Sequence, residues 1–284
     1  MPLTKKIRYN LRIHNELVRE MLAEFLGTFV LGAFVFGWNA EVVLKRNLNH
    51  NISAGIGLCI AIIIAGQVSG GHMNPVITLS FCLMGKIKFK KLLPYTLAQT
   101  LGAFIVASLQ YGILYDSMSY QSKTEGSNID FKNHIFSSFP PDDVSIRSAV
   151  LNQIIAAFLL VIGILAITDT DNIQYNPIML PITVGILLTA IIASFSLNEC
   201  AINPAIDVAG RILLAAISGN STVFSYRNYS WFCVPVFLPL VGSVLAVAVY
   251  NGFICIHRPE ILTITAEFRD HPTATTAEIG DTKF

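Results

Sequence analysis

The chain is 284 residues long, 53% of them hydrophobic and only 13% charged, with a formal net charge of +1. A soluble domain of this length carries about 25% charged residues, so most of this chain faces something other than water. The near-zero net charge points to no acidic polymer, nucleic acid included, as a partner.

A bilayer core about 30 Å thick takes roughly 20 apolar residues of helix to cross. Six stretches meet that length, in chain order Leu17–Ala40, Ile52–Val68, Leu92–Leu114, Ser148–Thr168, 177–197 and Trp231–Ile256. The first is long enough to span and has no small-residue cleavage site, so it reads as a span and not as a signal peptide. Two further apolar pieces, Asn74–Met84 and Asn203–Ile217, are too short to cross. Each begins with Asn-Pro, a helix start in which Asn caps free N–H groups and Pro occupies the first turn. A short helix at membrane depth is tolerated where protein or a water-filled cavity surrounds it, so both read as re-entrant half-helices.

The two halves correspond. Each offers two spans, an Asn-Pro half-helix and a third span, over about 17–115 and 148–256. Three spans per half make the second half enter from the opposite face, an inverted repeat, and matched interrupted segments in such repeats point to the transport site. The fold class predicted is therefore an all-α membrane protein with six transmembrane helices and two re-entrant half-helices. The polar stretch Asp116–Arg147 reads as the join between halves.

Basic residues set the orientation. Lys5, Lys6, Arg8, Arg12 and Arg19 cluster ahead of or at the start of the first span, and Lys86, Lys88, Lys90 and Lys91 fall on the same side, which the positive-inside rule makes cytoplasmic. The glycosylation-type sequons at Asn51, Asn220 and Asn228 all fall on the opposite face, whereas Lys45 and Arg46 run slightly against the rule. Residues 1–16 and the Thr-rich tail 257–284 are thus expected in the cytoplasm, the tail as a disordered segment. Passage through the secretory pathway favours the plasma membrane.

The flanks of the Asn-Pro pairs are informative. Ser69-Gly-Gly-His-Met-Asn-Pro-Val76 and Ala201-Ile-Asn-Pro-Ala-Ile-Asp207 resemble the paired Asn-Pro-Ala motifs of the aquaporin superfamily. Ala23-Glu-Phe-Leu-Gly-Thr28 is similar to its first-span signature. Ala65-Gly-Gln-Val-Ser-Gly70, Leu97-Ala-Gln-Thr-Leu-Gly-Ala103 and the acidic Asp207 resemble the glycerol-conducting branch. The resemblance covers about residues 17–256. It implies a passive channel for water and small neutral solutes such as glycerol, with no catalytic chemistry and no cofactor, assembled as a homotetramer with one pore per subunit. It also implies that Asn74, Pro75, Val76, Asn203, Pro204 and Ala205 line the pore, and that Glu24, His72 and Gln153 brace the re-entrant loops.

The physics of that motif stands without the family. Opposed half-helices bring their positive N-terminal ends together near the midplane. Asn74 and Asn203 each carry an amide donor for a passing oxygen, and the positive ends oppose cations and protons.

Departures from the family pattern concentrate at the outer constriction, whose four positions follow by spacing from the motifs: Ala54, Ile191, Cys200 and Ile206. The family usually has a large aromatic at the first and an arginine at the last. Arginine supplies fixed positive charge and several donors; Ile206 supplies neither. Val76 in place of alanine adds bulk near the midplane. Three consequences compete: passage of bulkier neutral solutes such as urea or protonated small acids, weaker exclusion of cations, or poor conduction through a dewetted constriction. A pore-facing Cys200 predicts mercurial block. The other four cysteines, Cys59, Cys82, Cys233 and Cys255, read as apolar packing, none with metal-ligand spacing. The rival reading from another class is a non-conducting scaffold for adhesion or assembly.

Overall fold

The computed structural model describes residues 11–44, 52–125, 131–172, 176, 178–196, 200–219 and 222–258. Among these, regular structure is helical throughout: α1 (Glu16–Val43), α2 (Ser53–Ser69), α3 (Pro75–Leu83), α4 (Leu92–Glu125), α5 (Phe131–Phe136), α6 (Ile146–Ile167), α7 (Met179–Phe195), α8 (Pro204–Ser218), α9 (Thr222–Ser225) and α10 (Ser230–Phe253). Four segments are long and apolar enough to cross a membrane, built on α1, α4, α6 and α10, and α2 and α7 are apolar helices of 17 residues each. The N-terminal segment 1–10, the sequons at Asn51 and Asn220, and the tail from 259 lie outside the described residues. Asn228 is exposed, in a left-handed run with Arg227 and Tyr229.

Polarity is inverted relative to a soluble protein. Leu93, Leu97, Leu101, Ile105 and Leu109 form an outward stripe along α4, while Glu24, Gln99, Gln153 and Arg211 are fully buried. Outward apolar surface loses nothing in lipid, and buried polar groups must find partners inside.

Small residues set the helix crossings. A Cβ on Gly55 of α2 would lie 2.3 Å from the Gly185 carbonyl oxygen of α7, and one on Gly185 would lie 2.5 Å from that of Gly55. The two backbones therefore touch at this pair, the close approach that small residues permit between membrane helices. The halves repeat a second contact. Gly102 of α4 packs on the Phe25 carbonyl of α1, and Gly242 of α10 packs on the Ile154 carbonyl of α6. Phe25 and Ile154 each follow one of the corresponding residues Glu24 and Gln153.

Part of the polar stretch between the halves is helical. α4 continues to Glu125, because Tyr115–Thr124 lacks Gly and Pro and keeps helix-compatible side chains after the apolar stretch ends. From the end of α5 the chain turns inward: Phe136, Ser137, Ser138 and Phe139 are all buried.

Candidate conduction pore

The half-helices α3 and α8 start as their sequences require. Asn74 and Asn203 hold extended backbone geometry, and their Oδ1 atoms accept from the N–H groups of Val76 (2.9 Å) and Ala205 (3.2 Å). Pro75 and Pro204 take the first helical position, where a missing N–H is harmless. The amide nitrogens then cross over. Asn74 Nδ2 donates to the Ile202 carbonyl at 2.9 Å, and Asn203 Nδ2 donates to the Met73 carbonyl at 2.8 Å. Each asparagine caps its own helix and ties down the opposite loop. An amide nitrogen has two donors, so a second N–H on each is free to meet an oxygen in the adjoining cavity.

The first loop is held from below by a single carboxylate. Glu24 Oε1 accepts from Ser69 Oγ (2.6 Å) and the His72 N–H (2.9 Å), and Oε2 accepts from the Met73 N–H and Gln99 Nε2, both at 2.7 Å. Met73 needs this support: it is fully buried with φ of 46°, a region unfavourable for side-chain-bearing residues. Its N–H is fixed by Glu24 and its carbonyl by Asn203. His72 is buried with Nδ1 3.3 Å from Thr78 Oγ1, its ring against Phe81 and Tyr95. Ser243 of α10 donates to the Val76 carbonyl at 3.0 Å. Gln153 is buried on α6; the segment 197–199, in the loop corresponding to that of Glu24, lies outside the described residues.

A cavity of about 700 Å³ runs past both asparagines. Ala54, Cys200 and Ile206 lie on its wall, as do His72, Asn74, Asn203 and Asp207. Ile191 is buried but not on that wall; α7 presents Leu180, Val184, Leu188 and Ile192 instead, one residue per turn, and Ser196 follows just past its end.

Asp207 does not serve as a free charge. Its Oδ1 accepts from Ser137 Oγ (2.8 Å), Ser138 N–H (2.9 Å) and Ser138 Oγ (2.8 Å), and its Oδ2 from Arg211 Nε at 2.7 Å. Arg211, fully buried, also donates to the carbonyls of Val223 and Ser138, both at 2.6 Å, and lies 4.6 Å from the Phe139 ring centroid. Trp231 Nε1 adds a third anchor on the Ser138 carbonyl at 2.8 Å. This clamp holds residues 136–138 against the cavity.

Two asparagine-capped half-helices cross-brace on the cavity wall, and the sequence matches the profile described as Major intrinsic protein over residues 12–250. The chain belongs to the major intrinsic protein family. It is 37% identical to human aquaporin-9 over 266 residues, covering 90% of this chain and 89% of the relative. Human aquaporin-10 is 34% identical, covering 90% and 87%. The crystal structure of the aquaglyceroporin from Plasmodium falciparum superposes with a TM-score of 0.75 at 28% identity, covering 84% of this chain and 98% of that one.

Sequence reasoning about this major intrinsic protein did not single out Arg211, the loop serines or the polar groups at the Thr168 end of the cavity. The i,i+4 spacing of Asp207 and Arg211 on a half-helix at membrane depth was an available signal. Ser137 and Ser138 gave none, since only the folded chain brings them to Asp207. At the opposite end of the cavity Lys86 Nζ donates to the Thr168 carbonyl at 3.3 Å, and Thr168 lies on the cavity wall. Burial pushes the Lys86 ammonium down from its ordinary value, with Asp169 acting in the opposite sense. Arg258 pairs with Asp169, and with Asp171 at 3.3 Å, beside the Tyr250 hydroxyl.

Proposed function

We propose that this chain is a passive channel conducting water and small neutral solutes of the glycerol class through the cavity between its halves. α1, α2, α4, α6, α7 and α10 are read as six spans, with α3 and α8 as half-helices entering from opposite faces. Four subunits assemble with one pore each, in the plasma membrane, with both termini cytoplasmic. That orientation makes the Thr168 and Lys86 end the inner mouth and the Ile206 end the outer one. The observation that carries this reading is the reciprocal bonding of Asn74 and Asn203 on the cavity wall. It places two amide donors and two positive helix ends at one level, where they orient an oxygen and oppose cations.

Selectivity is assigned to the outer constriction, at Ala54, Cys200 and Ile206, with α7 contributing through Leu188 and Ile192 beside the buried Ile191. An apolar ring there suits the C–H face of a polyol and offers ions little. The non-conducting scaffold reading is not favoured, because the midplane machinery is complete. Proteoliposomes in an inward glycerol gradient provide the test. Reswelling faster than in empty liposomes, with weak temperature dependence, supports the channel; identical rates from correctly inserted protein refute it.

A further inference from the structure

The outer constriction lacks the aromatic side chain expected at position 54, yet an aromatic residue stands next to it on another helix. Trp38 of α1 is half-buried and lies on the cavity wall, in a stripe with Leu31, Val35 and Val42. Ser53 Oγ donates to the Phe34 carbonyl at 3.3 Å, which fixes the start of α2 one turn below Trp38. Side chains in a helix lean toward its N-terminus and cover the preceding turn. The Trp38 indole therefore hangs at the level of Ser53 and Ala54, beside the space that the alanine leaves. Its Nε1 is buried and has no hydrogen-bond partner among the described residues. A buried donor left unpaired costs about 1–3 kcal/mol, so a cavity water or solute oxygen that reaches it after a small ring tilt is a favourable partner.

We propose that Trp38 is a specificity-determining residue of this pore, its indole supplying from α1 the aromatic wall that α2 lacks at Ala54 and an N–H donor on a rim that Ile206 leaves apolar. The substrate class this fits is a linear polyol, which lays its C–H edge on the indole face and offers a hydroxyl oxygen to Nε1. The bulk of the ring also sets the upper size of solute. The proposal rests on the channel reading.

Solute swelling and tryptophan quenching on native, Trp38→Ala and Trp38→Phe proteins test it together. The chain has two tryptophans, and Trp231 is fully buried, so emission quenched by acrylamide belongs to Trp38. Trp38→Ala should raise the permeability of a five-carbon polyol several-fold relative to glycerol. Trp38→Phe keeps an aromatic face but loses the donor, and should lower the glycerol-to-water ratio about fivefold, the order of one net hydrogen bond. The quenchable fraction of emission should disappear in both variants. A merely structural role would scale all solutes together through the amount of folded protein. Unchanged solute ratios in both variants overturn the proposal, as does a quenchable fraction that survives in Trp38→Phe. If native protein passes no solute, the channel reading falls and the selectivity role with it; loss of quenching in Trp38→Phe would then still locate Trp38 on the cavity wall.

Discussion

The Asn-Pro junction and the Ile206 stretch of the cavity wall lie only one helical turn apart along α8, and they follow opposite rules. At the junction the polar groups hold the backbone in place: Asn74 and Asn203 cap helices and join loops, and Glu24 fixes the strained Met73. Replacing any of them breaks the fold before it alters conduction. On the wall beside Ile206, the cavity is lined by Ala54, Cys200 and Ile206, and the Asp207–Arg211 clamp holds that region from behind. Selectivity is free to vary where support and contact belong to different residues. It is fixed where they coincide.

This contrast is broken most directly at its rigid side. Glu24→Ala leaves the His72 and Met73 N–H groups without an acceptor among the described residues, at about 1–3 kcal/mol each, while Ser69 Oγ and Gln99 Nε2 keep only their longer bonds to the Ala65 carbonyl and Thr78 Oγ1. The expected outcome is loss of folded protein, read as collapse of the monodisperse peak and of the thermal transition in detergent. A variant that folds normally would show that the loop supports itself. Arg211→Met should be nearly as severe, since removing one member of a buried ion pair costs about 3–5 kcal/mol. Here the double variant with Asp207→Asn should recover part of the stability, because the uncompensated charge is gone.

On the variable side the effects fall on conduction and not on folding. Ile206→Arg should fold with native stability. Mercurial treatment of native protein should block flux at Cys200, and Cys200→Ser should remove most of that sensitivity. Persistence of block in the serine variant would assign it to another cysteine.

The smallest effect belongs to the Thr168 end of the cavity. Partial burial pushes the Asp169 carboxyl up, but hydrogen bonds from Arg258, Tyr250 and the Asp171 backbone outweigh it and hold it below the ordinary 3.8. A depressed carboxyl stabilises the pairing above its unfolded-state pKa and loses that contribution as pH falls through the folded value. Protease access next to Arg258 should therefore stay constant from pH 8 to about 5 and rise in Asp169→Asn. A rise in native protein near pH 6 would mean that another group governs the clamp.

The Asn-Pro starts of α3 and α8 were legible in the sequence, for a physical reason. Asn-Pro at the start of a segment too short to span is dictated by capping and bilayer thickness together, so it reads locally. Gly55 and Gly185 did not announce their contact, because an interhelix crossing depends on both halves at once. Trp38 escaped notice because Phe29–Trp38 is apolar without a break and offers no polar stripe from which a pore side could be read. Counting from the Asn-Pro motifs also led to Ile191, whereas the wall of α7 is formed by its neighbours at Leu188 and Ile192. The loop serines became visible only through Asp207, since no local pattern distinguishes Ser137 and Ser138 from surface serines.

The central claim is that neutral solutes cross through the cavity and are sorted at Ile206. It is tested most directly by stopped-flow permeabilities of glycerol and water for native and Ile206→Arg proteins at equal insertion. Arginine narrows the constriction and fixes a charge there, so glycerol permeability should fall about tenfold, a barrier increase of about 1.4 kcal/mol, while water permeability changes less. Equal glycerol rates in the two proteins, or no rate above empty liposomes, would contradict the claim.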